Sequence, residues 1–239
     1  MIDPRIAGAK KRLSKVKRIF VVLSGKGGVG KTLFSSTLAL VLAKKGINVG
    51  LFDMDFQGPT CHVVLGARYV YPEEEKGIIP PKIHDVRFLS IVFFLGENPA
   101  PLRGSDRTNV ILELLSITNW NGTEILIIDM PPGSGDDVLD VIKFIDNKEF
   151  IVISTSSALS IETVSRLLRL LKEQDLNVLG LVENMSEKEK LKSLAEKFEV
   201  SYLGNIPFDP LVEDALGNPS KLLDTNFAKH VEEIAIRII

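Results

Sequence analysis

Short runs of β-branched and aliphatic residues alternate along the chain with longer segments whose apolar positions recur at helical spacing. The strand-like runs are Ile19–Ser24, Val49–Phe52, Arg87–Phe93, Ile125–Asp129, Phe150–Ser154, Val178–Glu183 and Tyr202–Ile206. Several are apolar without a break, as in IFVVL, ILII and FIVIS, which is how a strand covered on both faces reads. Helical patterns occupy Lys31–Lys45, Arg107–Ser116, Asp136–Ile145, Ile161–Gln174, Lys188–Phe198 and a C-terminal stretch near Phe227–Ile238. Gly46 follows the first of these where a C-cap glycine belongs. The alternation predicts an α/β fold: a mostly parallel sheet of seven or eight strands with helices on both faces. Such sheets bind ligands in loops beyond the carboxyl ends of their strands.

Composition narrows the picture. No Gly/Ser linker, repeat or low-complexity tract divides the 239 residues, so 1–239 reads as a single domain. A net charge of −2 gives no reason to expect bulk attraction to nucleic acid. The one cysteine, Cys61, cannot build a disulfide framework or a four-thiolate metal site. The N-terminal stretch is polar, and no apolar run approaches the roughly 20 residues that a membrane helix needs. A cytoplasmic location without membrane contact is therefore expected. The basic cluster from Lys10 to Arg18 reads as a solvated helix face in preference to a contact for an acidic partner or phosphates.

The most specific chemistry follows the first strand. Ser24 leads into Gly25-Lys26-Gly27-Gly28-Val29-Gly30-Lys31-Thr32, which fits G-x-x-x-x-G-K-[ST] without exception and opens a helix. Glycines let successive N–H groups face phosphate oxygens, and the helix start adds a favourable field. Lys31 is expected to reach the β- and γ-phosphates and Thr32 to ligate Mg2+. An ordinary phosphate loop does not need Lys26. A lysine there can reach across an interface to a second subunit's nucleotide, as an arginine finger does; its bland alternative is an exposed lysine.

Carboxylates follow two further strands, Asp53-Met54-Asp55-Phe56-Gln57-Gly58 and Asp129-Met130-Pro131-Pro132-Gly133. Phosphoryl transfer needs Mg2+ held by hydroxyl and carboxylate, and a group that orients the attacking water. Asp129 stands where a metal-supporting aspartate belongs, and Asp53 and Asp55 stand beside a glycine that can hinge. A guanine-reading [NT]-K-x-D string is missing; Asn147-Lys148-Glu149-Phe150 lacks the aspartate, which favours ATP over GTP.

Taken together, G-K-G-G-V-G-K-T at 25–32, D-x-D-x-x-G at 53–58, I-I-D-x-P-P-G at 127–133, E-N-M at 183–185 and I-P-F-D-P at 206–210 resemble the Mrp/MinD family of P-loop ATPases, nearly end to end. Pro101-Leu102-Arg103-Gly104 and P-P-G-x-G-D at 131–136 resemble the Mrp branch. The resemblance implies ATP/ADP and Mg2+ as ligands and a nucleotide-controlled homodimer. It implies that Lys26 contacts nucleotide across that dimer and Asp55 orients the hydrolytic water. Asp53 and Asp129 would support Mg2+, and Gly133 would sense the γ-phosphate. Asn184 would bind adenine, with Pro207, Phe208 and Asp209 closing over it. From its residue type alone, Asn184 could equally be a turn former.

One departure is large. Typical Mrp-branch members follow the N-M segment with a C-x-x-C pair that bridges an iron–sulfur cluster between subunits. Met185–Ala195 contains no cysteine and reads here as an amphipathic helix. A cysteine-free archaeal subgroup assists nickel insertion into hydrogenase with a small metallochaperone, and this chain resembles it most. Metallocentre maturation with a metallochaperone or apo-metalloprotein partner is the leading expectation, by nickel or iron–sulfur delivery. A MinD/ParA-type positioning ATPase acting on membrane or DNA is the alternative. Cys61-His62 pairs could in principle hold a metal across a dimer axis, though a buried thiol beside a satisfied histidine is the favoured reading.

Overall fold

The computed structural model describes residues 3–67, 70–95, 104–133 and 135–239. Pro101, Leu102, Arg103 and Ser134, part of the Mrp-branch resemblance, lie outside the described residues. The apolar runs become strands because burial on both faces suits them. β1 (Arg18–Ser24) is buried from Ile19 onward. β2 (Val49–Asp53) and β7 (Ile125–Asp129) are buried throughout.

The remaining elements, in chain order, are α1 (Pro4–Leu13), α2 (Lys31–Lys44), α3 (Cys61–Leu65), β3 (Glu73–Glu74), β4 (Ile78–Ile79), β5 (Lys82–Ile83), β6 (Val86–Ser90), α4 (Val92–Leu95), α5 (Ser105–Ile117) and α6 (Asp136–Phe144). They continue with β8 (Lys148–Ser154), α7 (Ala158–Glu173), β9 (Val178–Asn184), α8 (Lys192–Phe198), β10 (Tyr202–Ile206), α9 (Leu211–Ala215), α10 (Pro219–Leu223) and α11 (Asn226–Ile238).

Eight strands form one sheet in the order β10-β9-β8-β1-β7-β2-β6-β5, and β3 and β4 form a separate two-stranded pair. All pairings in the large sheet are parallel except β5 with β6. This is the sheet that the alternation predicts, including its eight-strand upper count. β7 lies on one side of β1 and β8 on the other, so the chain reverses its direction of winding at β1. Crevices at such reversals are where doubly wound sheets bind ligands.

α2 runs behind this point and is buried on nearly every face, with Phe34, Leu38 and Leu42 fully enclosed. The sheet covers one side of α2, and α11, α10 and α3 cover the other. α11 turns Phe227, Val231, Ile234, Ala235 and Ile238 inward, so its apolar face is spent on the core. Among the described residues no helix is long and apolar enough to cross a membrane.

Four expectations change. The helix face read at Lys10–Arg18 is displaced toward the N-terminus: α1 starts at Pro4 and ends at Leu13, Ala9 and Leu13 are buried, and α1 packs on α5. The basic cluster is solvated as expected at Lys11, Lys15 and Lys17, but only its first part lies on a helix, and three of its members pair within the chain. Lys10 pairs with Asp146 at 2.8 Å, Lys17 with Glu124 at 2.6 Å, and Arg18 with Glu149 at 2.7 Å. The run Arg87–Phe93 is strand only to Ser90, whose hydroxyl accepts the Val92 N–H as the chain turns into α4. Finally, Lys188–Phe198 is helix only from Lys192. Met185 adopts a left-handed φ of 55°, and the Glu183 carboxylate takes the Leu191 N–H at 2.9 Å, so the segment between folds as a loop.

Candidate nucleotide site

The phosphate loop bridges β1 and α2. Gly30 caps α2 with a φ of 83°, a left-handed conformation that costs a side-chain-bearing residue energy. A Cβ at Gly30 would stand 2.2 Å from Asn184 Nδ2. Gly25 is required for a different reason: a Cβ there would stand 2.6 Å from the Thr163 carbonyl carbon, so the loop's entry packs directly on the α7 backbone.

Lys26, Gly27, Gly28, Val29, Gly30, Lys31 and Thr32 line a cavity of about 270 Å³, together with Ser24, Asp55 and Pro132. Gly25, Asp53, Asp129, Gly133, Asn184 and the Pro207–Asp209 loop stand outside its wall.

Beneath the cavity three strand ends meet. Sheet register places Asp53 beside Asp129 across β2 and β7, and beside Ser90 across β2 and β6. Asp129 is fully buried and receives four groups. Its Oδ1 lies 2.8 Å from Lys31 Nζ and 2.7 Å from Ser35 Oγ. Its Oδ2 accepts from Thr32 Oγ1 at 2.7 Å and lies 3.7 Å from Cys61 Sγ. Asp53 accepts the N–H of Asp55 at 3.2 Å, the N–H of Cys61 at 3.3 Å and the Ser90 hydroxyl at 3.3 Å. Asp55 lies nearer solvent and accepts the Gly58 N–H at 3.1 Å, which fixes the turn after β2.

Two buried carboxylates share one buried cation, and the field shows it. Burial first, and then the Asp129 charge, push Asp53 up to about 8; Lys31 and the N–H groups of Cys61 and Asp55 pull it down but do not prevail. Asp53 thus holds a proton more readily than an ordinary carboxyl, while Lys31 pairs with Asp129. Burial and the same two carboxylates raise the Cys61 thiol well above its ordinary range. Asp53, Cys61 and Asp129 place one ligand atom each within 4.8 Å of one another. With Thr32 Oγ1 added, the set is dominated by hard oxygen donors and fits Mg2+.

The other expected residues have different surroundings. Gly133 N–H is committed to Ser24 C=O at 2.8 Å. Asn184 is buried and donates Nδ2 to Val29 C=O at 2.8 Å, while its Oδ1 is without a partner among the described residues. Phe208 is 71% exposed. Asp209 accepts the N–H groups of Leu211 and Phe227, each at 3.0 Å, and so ties its loop to the start of α11. Sequence reading missed Ser35 and Ser90. Ser35 carried a signal, since it follows Lys31 by four residues and shares its helix face. Ser90 was hidden inside an over-long strand assignment.

A glycine loop wrapping a cavity between a strand and a helix, with lysine and hydroxyl at the helix start and aspartates below, defines a P-loop nucleotide-binding protein. The chain belongs to the ParA family described as NUBPL iron-transfer P-loop NTPases, whose sequence profile matches residues 15–239. It is 34% identical over 216 residues to the iron-sulfur cluster carrier protein of Rickettsia felis, covering 89% of this chain and 68% of that one. It is 33% identical over 251 residues to the protein of the same name from Saccharolobus solfataricus, covering 95% and 85%. Among solved structures, the nucleotide-binding protein of Archaeoglobus fulgidus in complex with ADP superposes with a TM-score of 0.76 at 27% identity, covering 92% of this chain and 93% of that one.

Proposed function

We propose that this chain is a single-domain ATPase that converts Mg-ATP to ADP and phosphate, closes as a homodimer around the nucleotide, and uses that cycle to assist metallocentre assembly in the cytoplasm. The observation that carries this reading is the cluster of Lys31, Thr32 and Asp129 beneath the glycine-lined cavity. Lys31 would exchange Asp129 for the β- and γ-phosphates, and Thr32 would turn its hydroxyl oxygen to Mg2+ with Asp129 and Asp53 in support. Mg2+, when bound, neutralises phosphate charge and aligns the phosphoryl group. Asp55, on the cavity wall, would orient the attacking water, and Lys26 would meet the nucleotide of the second subunit. The unpartnered Asn184 Oδ1 and the exposed Phe208 support adenine recognition and cover.

The names of the relatives favour iron–sulfur assembly as the process served. The chain's single thiol, Cys61, is buried against Asp129, so it offers no exposed thiolate pair of the kind that holds a cluster. The metal would accordingly sit on the partner. That same observation favours nickel delivery as a second reading, since nickel delivery through a metallochaperone needs no thiolates on the ATPase. The positioning alternative is disfavoured by the inward apolar face of α11 and by the internal pairing of the basic cluster. Metal analysis of the purified chain, and of proteins isolated with it in the presence of a non-hydrolysable ATP analogue, tests this account. Iron with sulfide, or nickel, on the partner and not on the chain is expected. A stoichiometric cluster on the chain alone would overturn it.

A further inference from the structure

Ser35 Oγ lies between two acceptors, Lys31 C=O at 3.0 Å and Asp129 Oδ1 at 2.7 Å. A serine hydroxyl has one proton, so it cannot satisfy both fully. While Lys31 is paired with Asp129 it need not, because Lys31 Nζ is 2.8 Å from the same Asp129 Oδ1. That changes when Lys31 leaves. Asp129 is fully buried, and its Oδ1 would then depend on Ser35 alone. Helix geometry permits the handover without backbone movement, since rotation of the hydroxyl proton moves the donation from the α2 carbonyl to the carboxylate.

Resting on the nucleotide-site reading above, we propose that Ser35 is a positioning residue that takes over Asp129 Oδ1 when Lys31 turns to phosphate. It keeps that carboxylate in place for the magnesium-supporting role without touching nucleotide itself. Its hydroxyl matters little while Lys31 is paired with Asp129 and matters most once the pair is open. A merely structural serine on α2 would matter equally in both conditions.

The difference can be read by a double-mutant cycle. Nucleotide-free unfolding midpoints are measured for wild type, Ser35→Ala, Lys31→Met and the double variant, and Mg-ATP affinity is measured by calorimetry for wild type, Ser35→Ala and Ser35→Thr. Thr37→Val serves as a control, because it removes a buried hydroxyl from the same helix that has no hydrogen-bond partner among the described residues. Ser35→Ala is expected to lower the midpoint little in the wild-type background and at least twice as much in the Lys31→Met background. A double variant that fails to fold counts as the same coupling when the sum of the two single losses would leave it folded. Ser35→Ala is expected to weaken Mg-ATP binding about tenfold, the effect of orphaning a buried acceptor, with Ser35→Thr restoring it. Equal midpoint losses in the two backgrounds, a Ser35→Ala that does not fold, or unchanged affinity in a wild type that binds Mg-ATP would overturn the proposal. A wild type that binds no Mg-ATP but shows the coupling would overturn the nucleotide reading and leave the handover between Lys31 and Ser35 standing.

Discussion

Lys31 Nζ stands 2.8 Å from Asp129 Oδ1 with both side chains buried, so the chain's own carboxylate occupies the lysine expected to bind phosphate. Thr32 is engaged by the same carboxylate, and Gly133 N–H by Ser24 C=O. Lys31, Thr32, Asp129 and Gly133 are thus held by bonds within the chain. Removing one partner of a buried pair leaves the other charge uncompensated. Lys31→Ala is expected to lower stability by about 3 kcal/mol and to reduce Mg-ATP affinity at least about a hundredfold, given the loss of the cation proposed to bind phosphate. Chemical denaturation and calorimetry on one preparation check both effects.

Asp53 gives a pH dependence with a definite sign. Its carboxyl is raised from 3.8 to about 8 in the fold. Between those values the folded chain holds a proton that the unfolded chain has lost, so stability falls as pH rises through this window. The contribution is fully present below the ordinary carboxylate range and is gone once pH has passed about 8. Asp53→Asn removes the slope. Urea midpoints from about pH 5 to about pH 9 should show the variant gaining on wild type as pH rises. Parallel curves would contradict the raised value.

Cys61 is a buried, neutral thiol. A thiol-specific reagent should leave it unmodified in the folded chain and modify one thiol on unfolding. Cys61→Ser is expected to keep Mg-ATP binding within about threefold, because the 3.7 Å thiol contact is the longest that Asp129 receives and a serine hydroxyl can replace it, while Ser35 stays on the other oxygen. Rapid labelling of the native chain would show that the thiol is reachable and would reopen its role in metal handling.

Lys26 lines the cavity but is not part of the buried cluster. Lys26→Ala should therefore bind nucleotide with nearly wild-type affinity yet fail to dimerise on binding a non-hydrolysable ATP analogue. Light scattering with and without the analogue distinguishes this from a solvent-exposed lysine, which would leave the dimer intact.

Much of this was legible because phosphate chemistry demands particular residues at particular spacings. Glycines 25, 27, 28 and 30, Lys31 and Thr32 occur in a string that few other structures need, and Asp53 and Asp129 follow uninterrupted apolar strands. Ser35 was not legible, because its role arises only when α2 winds it over Asp129 from β7. Nor was the N-terminal start of α1, whose short apolar face is evident only once α5 lies against it. The apolar residues after Ser90 read as strand because hydrophobicity alone does not separate a buried strand from a buried helical turn. The loop after Met185 escaped for the opposite reason: its charges suit a helix, but Glu183 captures the Leu191 N–H from outside the segment.

The proposed function stands on hydrolysis of ATP in the cavity above Asp53 and Asp129. Mg2+-dependent formation of ADP by the purified wild-type chain, with Asp55→Ala alongside, tests it most directly. Slow wild-type turnover that stops when Mg2+ is chelated is expected, with an Asp55→Ala variant that binds Mg-ATP but turns it over at least about tenfold more slowly, as loss of a water-orienting group requires. Equal turnover by the two proteins would remove Asp55 from the reaction, and a wild-type chain that binds Mg-ATP without forming ADP would contradict the ATPase itself.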